Sequence, residues 1–327
     1  MAPTAAPTSR RRARRGGAGL CWHSGVSRPD VHPPRAAVRE AVARALAEDL
    51  LPLGDLTAGL LPPHTVARGA IVSRASGVLA GRMAAAEAFH QVDPTVRLQW
   101  DLDDGAPVGP GSVVVEVGGP LRSILSAERT ALNFLCHLSG VATLTGRYVA
   151  AVGGCAEGGD GPGAGATRVL DTRKTTPGLR ALEKAAVRAG GGTNHRGSLS
   201  EGVLVKDNHL AGMGIAQAVA LARARWPGRM VEVECDRREQ VEEAVRAGAT
   251  MVLLDNMTPE EVAACVALAD PGGRGPGRRP VAVEVSGGVS LDTAPAYAAA
   301  RPDFVSVGAL THSAPALDLG LDLDPEG

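Results

Sequence analysis

From about residue 168 to residue 307 the chain alternates with a steady rhythm: a short run of β-branched and aliphatic residues, then a stretch with helical spacing, then another short run. Strands are expected at 168–171, 203–206, 230–234, 251–254, 281–285 and 304–307, and helices at 179–188, 215–225, 237–247, 259–268 and 291–300. Strands separated by helices must pair in parallel, because each returns to the same end of the sheet by a right-handed crossover. Six such strands in succession point to a barrel or near-barrel rather than a doubly wound sheet. The fold class is therefore α/β in this half. Upstream the rhythm differs. A helix at 36–48 is followed by β-type runs at 69–73, 78–80, 96–100 and 112–117, interrupted by one helix at 83–89, which reads as a small α+β domain with an antiparallel sheet. A long helix at 126–152 joins the two halves.

In a β/α barrel the chemistry gathers where the strands end, and here those ends carry charge. The first barrel strand runs into Thr172-Arg173-Lys174-Thr175 and the second into Lys206-Asp207-Asn208-His209. The third puts Glu232 and Glu234 on one face by the two-residue alternation of strands, and the fourth ends in Asp255-Asn256. Any one of these reads equally well as a salt bridge or a helix cap, Asp255 especially. Glu232 is expected to point inward, paired with Lys206 in a structural role. Four charged ends in a row are harder to explain that way, since burying so many charges without a ligand is costly.

Composition sharpens the point. The chain has 31 Arg but only three Lys: Lys174, Lys184 and Lys206. Lysines that survive among so many arginines mark places where a fork-shaped guanidinium cannot replace a compact ammonium. Between the first two strands, Gly190-Gly191-Gly192 leads to Thr193-Asn194-His195-Arg196, with His195 and Arg196 presented as donors. The remaining histidines at 23, 32, 64, 90, 137 and 312 have no metal-ligand spacing, so no zinc triad is expected; Asn208 and His209 are expected to brace Lys206. The last two strands are followed by Ser286-Gly287-Gly288 and by Gly308, glycine-rich turns of the kind that bind phosphate through backbone N–H groups. The pattern describes a cavity for a small polyanion and a phosphorylated sugar. Mg²⁺ would be held partly through Glu234 and Asp255.

Other features exclude function classes. The first 35 residues hold seven Arg against one acid, so the remainder carries 27 basic and 34 acidic side chains and is a poor general binder of nucleic acid. The tail is Arg-rich and acid-poor, as transit peptides are, and is read as a solvated, disordered extension. No apolar run is long enough for a membrane span. Five widely spaced cysteines without a C-x-x-C suit a reducing cytoplasm. The glycine-rich stretches at 153–165 and 271–280 are expected to be surface loops.

The motifs, taken in order, closely resemble the quinolinate phosphoribosyltransferase family from about Ala41 to Leu319. They include Glu48-Asp49, Gly54-Asp55-Leu56-Thr57, Ala127-Glu128-Arg129-Thr130-Ala131-Leu132-Asn133, Leu138-Ser139-Gly140, Asp171-Thr172-Arg173-Lys174-Thr175-Thr176, Asn194-His195-Arg196 and Lys206-Asp207-Asn208-His209. One departure is visible: Arg196-Gly197-Ser198-Leu199 with Glu201 stands where the family usually reads Arg-x-Gly-Leu with Asp soon after. The resemblance implies an N-terminal α/β sandwich domain at 34–126, an open TIM-like barrel of six or seven parallel strands at 127–312, and a C-terminal segment at 313–327 packed back on the first domain, after the tail at 1–33. It implies transfer of a phosphoribosyl group to quinolinate with decarboxylation, in a homodimer whose Arg129 reaches the neighbouring subunit's site. It also implies that Lys174, Lys206, Glu234 and Asp255 are catalytic and that Glu234 and Asp255 hold Mg²⁺. The substrate-binding set would be Arg129, Thr172, Arg173, Lys174, His195, Arg196, Lys206, Glu234, Asp255, Ser286, Gly287, Gly288 and Gly308. The competing readings are a Schiff-base aldolase using Lys206, a non-catalytic phosphosugar-binding protein, and a same-fold transferase with another acceptor acid.

Overall fold

The computed structural model describes residues 31–153, 166–277 and 279–324. The expected disordered tail lies outside the described residues through position 30, as does the loop expected at 153–165 from position 154 onward. Helix α1 (Arg35–Leu50) leads into β1 (Val66–Ser73) and the short β2 (Gly77–Val78); then come α2 (Arg82–Val92), β3 (Arg97–Trp100), the short β4 (Pro107–Val108) and β5 (Val113–Pro120). The antiparallel sheet orders as β12-β1-β5-β3, where β12 (Leu319–Asp324) is the last strand of the chain. β12 pairs with β1 from Arg68 opposite Asp324 to Ser73 opposite Leu319. No strand is expected there from the sequence, because Leu319-Gly320-Leu321-Asp322-Leu323-Asp324 alternates only briefly and its partner lies some 250 positions away. Ile71, Val115 and Val117 from this sheet pack in one core with Leu79, Phe89, Ile124 and Leu135.

Helix α3 (Leu121–Gly153) is 33 residues long and begins five positions before the start expected from sequence. At 1.5 Å per residue it is about 50 Å long. Its first half meets α2 and β5, and its second half meets α4 (Arg180–Ala189) and α8 (Ala294–Ala299). One continuous helix therefore ties the antiparallel sheet to the parallel one.

The parallel strands are β6 (Arg168–Leu170), β7 (Gly202–Val205), β8 (Met230–Cys235), β9 (Met251–Asp255), β10 (Ala282–Ser286) and β11 (Phe304–Ser306). They order as β6-β11-β10-β9-β8-β7, all parallel among the described residues, with α5 (Ile215–Arg225), α6 (Arg238–Ala247), α7 (Pro259–Ala269), α8 and the short α9 (Ala309–His312) following in turn. The sheet does not close from β6 to β7. Thr193 stands in that gap, bridging Leu170 in parallel, with its N–H on the Val169 carbonyl at 2.8 Å. The alternation called for a barrel or near-barrel, and the family resemblance for an open one of six or seven strands; the sheet has six strands with a one-residue seventh position. Val231, Val233, Val252, Leu254, Val283, Val285 and Val305 are fully buried, as strands covered on both faces require. No helix among the described residues is long and apolar enough to cross a membrane.

Candidate active site

At the C-terminal ends of the parallel strands lies a cavity of about 350 Å³. Nine of the residues singled out from sequence line it: Thr172, Arg173 and Lys174 after β6, His195 and Arg196 beside the Thr193 bridge, Lys206 after β7, Glu234 on β8, Asp255 on β9, and Ser286 on β10. They come together because parallel strands all finish at the same rim. Gly287 and Gly288 continue from Ser286 with φ of +88° and +64°, and a side chain at Gly287 would meet Asn256 Oδ1 at 2.2 Å. Gly308 sits against the rim too, since a Cβ there would be 3.2 Å from Lys174 Cδ. Arg129 stands apart, exposed on α3 and away from this lining.

The cations are held in distinct ways. Arg196 is half-buried and donates from Nη1 to the Gly202 carbonyl at 2.9 Å; burial, then the Arg173 charge, lowers its pKa. Arg173 Nε is buried with no hydrogen-bond partner among the described residues, leaving donor capacity at the cavity wall. The Lys174 N–H donates to Thr172 Oγ1 at 3.0 Å, and its carbonyl accepts from Thr311 Oγ1 at 2.8 Å, which fixes the backbone and leaves the long side chain to the rim. Lys206 forms an ion pair with Glu234. The His209 ring braces Lys206 by accepting its backbone N–H at Nδ1, 3.0 Å away. Asn208 contributes no such brace; its own N–H turns to Asp207 Oδ1 at 2.6 Å.

Glu232 corrects one expectation. It pairs with His195, not Lys206, at 3.0 Å from Nε2. The register explains this: Val205 lies opposite Val233, so Lys206 stands level with Glu234, while Glu232 lies one step deeper in the barrel. Glu284, which the sequence reading missed, is 3.2 Å from the same Nε2 and also fully buried. Alternation could have found it, because it sits two positions before Ser286 on an inward face. Ser306, at the end of β11, was missed in the same way. The Arg196 backbone nitrogen lies 2.7 Å from His195 Nδ1, and Nε2 faces both glutamates. Burial, then the Glu284 charge, pushes Glu232 up to about 7. For His195, burial opposes charge, but its bonds to Glu232 and Glu284 outweigh it and carry the pKa up to about 10. The cluster thus binds protons more tightly near neutral pH than the same groups do in water.

Asp255 is not a helix cap. Thr258 caps α7, accepting the Glu261 N–H at 3.3 Å while Glu261 accepts the Thr258 N–H at 2.8 Å. Asp255 instead accepts from Asn256 Nδ2 at 2.8 Å and faces the cavity beside Glu234. Two carboxylates on one wall, with room for water and substrate oxygens, are a donor set suited to a hard divalent cation such as Mg²⁺.

The sequence agrees with known proteins over nearly its whole length. The N-terminal domain of quinolinate phosphoribosyl transferase matches residues 55–139, and the C-terminal domain matches residues 141–322. A nicotinate-nucleotide pyrophosphorylase [carboxylating] of Mycobacterium leprae is 40% identical over 292 residues, covering 88% of this chain and 97% of that protein. The human protein of the same name is 39% identical over 261 residues, 78% of this chain and 82% of its own. Among solved structures, the nicotinate-nucleotide pyrophosphorylase from Francisella tularensis superposes with a TM-score of 0.82 at 36% identity, covering 90% of this chain and 99% of that one. With both domain models matching in order along the chain and relatives about 40% identical over most of it, this chain belongs to the quinolinate phosphoribosyltransferase family.

Proposed function

We propose that this protein transfers the phosphoribosyl group of phosphoribosyl diphosphate to quinolinate and releases diphosphate and CO₂, leaving nicotinate mononucleotide for NAD biosynthesis. One observation carries the reading: Arg173, Lys174, Arg196 and Lys206 converge on a single cavity whose other wall is Glu234 and Asp255. A chain body with a surplus of acidic groups can hold two polyanions only through such a local, partly desolvated cluster making charge-assisted hydrogen bonds. Arg173, His195 and Arg196 grip the adjacent carboxylates of quinolinate and aim its ring nitrogen at the anomeric carbon. Ser286, Gly287, Gly288 and Gly308 receive the sugar phosphate on backbone N–H groups. Lys174 and Lys206 neutralise the departing diphosphate. Glu234 and Asp255 would hold Mg²⁺, which would supply further charge neutralisation there.

The nitrogen lone pair forms the new N–C bond while the C–O bond to diphosphate breaks with its electrons. The carboxylate next to nitrogen then leaves as CO₂, its bonding pair passing into the pyridinium ring, and a solvent proton takes its place. Neither step needs a dedicated general base, so positioning and electrostatics supply the rate. The match to both domains of the family speaks against the aldolase alternative.

A homodimer fits the surface. Arg129 is exposed on α3, and Leu51, Leu53, Leu56 and Leu60, close to one another in the chain, are 68–85% exposed, an apolar stretch suited to a partner subunit. The reducing cytoplasm suits the free thiols Cys136, Cys235 and Cys265 among the described residues. The decisive assay supplies quinolinate, phosphoribosyl diphosphate and Mg²⁺ and follows CO₂ and nicotinate mononucleotide. Product from a different pyridine acid, with none from quinolinate, would move the assignment to the same-fold relative.

A further inference from the structure

Lys184 is the one lysine of the three without a place in the cavity. It lies on α4, 6% exposed, and its ammonium donates to the Asp171 carboxylate and to the His195 carbonyl at 2.9 Å. Asp171 is fully buried directly after β6. Its carboxylate also accepts the His195 N–H at 2.9 Å and the Asn194 Nδ2 at 2.5 Å. Asn194 in turn donates to the Lys184 carbonyl at 2.9 Å. The cluster sits where the barrel is open. On the backbone, the stretch 193–195 is joined to β6 by two hydrogen bonds: Thr193 N–H to Val169 O at 2.8 Å and Asp171 N–H to Thr193 O at 3.2 Å. Side chains hold it as well: Asp171 and Lys184 as above, Arg188 Nη1 donating to Asn194 Oδ1 at 2.5 Å, and the His195 ring on Glu232 and Glu284.

We infer that Lys184 is a positioning residue: its buried ammonium, clamped between the Asp171 carboxylate and the His195 carbonyl, locks the 172–173 and 193–196 segments into one acceptor-binding face. This rests on the function proposed above. Thr172 and Arg173 follow Asp171 directly, and His195 and Arg196 follow Asn194, so the clamp sets the spacing between two pairs of substrate-facing side chains. The contacts proposed for Mg²⁺ and the sugar phosphate come from β8, β9, β10 and the turn after β11, whereas the Asp171 and Lys184 side chains bond to each other, to Asn194 and to His195. A buried ion pair is weak evidence for stability, because apolar residues of the same shape often replace one without loss. The clamp here is justified by the geometry it imposes. Its compact ammonium serves two acceptors in a small space, which explains a lysine among so many arginines.

The test uses the full chain with Lys184→Met and with the double variant Asp171→Asn/Lys184→Met, which removes both buried charges together. In folded protein, either is expected to raise the KM for quinolinate at least 10-fold, while the Kd for phosphoribosyl diphosphate with Mg²⁺ changes less than 3-fold. Amide exchange at residues 171, 193 and 195 should quicken at least 10-fold. If the single variant does not fold, the double variant decides. A folded double variant with wild-type KM and wild-type exchange overturns the inference, and so does a double variant that cannot fold, since Lys184 would then serve only the core. If the wild-type chain does not turn over quinolinate, the functional reading fails by itself, and the exchange rates alone judge the clamp.

Discussion

A single ammonium illustrates how much of the chemistry rests on residue type. Lys206 reaches Glu234 from the position just past β7, and its backbone is pinned by His209. Lys206→Arg keeps the charge but spreads it over a fork that cannot occupy the same point, and is expected to cost at least ~2–3 kcal/mol of transition-state stabilisation. A kcat/KM within a few-fold of wild type would refute that. Asp255→Asn should weaken the dependence on Mg²⁺, shifting the half-saturating metal concentration upward by about tenfold or more; an unchanged metal titration would remove Asp255 from the metal site. The His195, Glu232 and Glu284 cluster makes a prediction about pH. Both raised pKa values mean that the folded state holds protons the unfolded chain would release. The histidine contribution is complete below about pH 6.5 and drains away as pH climbs towards 10, and the Glu232 contribution fades across a lower window, from about 4.5 to 7. Unfolding free energy should therefore fall between pH 7 and pH 10, and Glu284→Gln should flatten the slope. Stability that rises over that interval would contradict the shared-proton arrangement.

Among the elements, α3 carries the most consequence. It packs on the antiparallel sheet at one end and on the barrel at the other, so a boundary drawn at residues 126–127 falls inside an unbroken helix. The C-terminal segment crosses it at Gly140, where an added Cβ would lie 2.1 Å from the Pro315 carbonyl oxygen. Gly140→Ala should gain about 1 kcal/mol of helix propensity yet lose more to a backbone collision that no rotamer can relieve. Urea denaturation should find the variant less stable, and an equal or higher midpoint would mean that the crossing can yield. The strand ends were readable in advance because two-residue alternation and a charge after an apolar run are local signals. β12 was not readable, since what makes it a strand is the exposed edge of β1 rather than anything within Leu319–Asp324. The Glu232 pairing was unreadable for a similar reason: a two-residue difference in the register of β7 against β8 decides which glutamate Lys206 meets.

For the molecule as a whole, the proposed dimer is the feature with the sharpest test. An Arg129→Ala subunit mixed with a Lys206→Ala subunit should form heterodimers with one intact site, and activity should return well above that of either variant alone. No recovery would place Arg129 in service of its own chain. The chain's own order determined that strands alternate with helices, that they pair in parallel, and that guanidinium, ammonium and carboxylate groups collect at one rim; these follow from periodicity and from parallel strands sharing an end. Only the tertiary structure decided which groups touch. It put Thr193 into the open side of the barrel, Lys184 under Asp171, and two buried glutamates behind one imidazole. Such contacts join residues that are far apart in the chain, and they are chosen by strand register and by helix packing within the dense interior, where a shift of one position exchanges every partner.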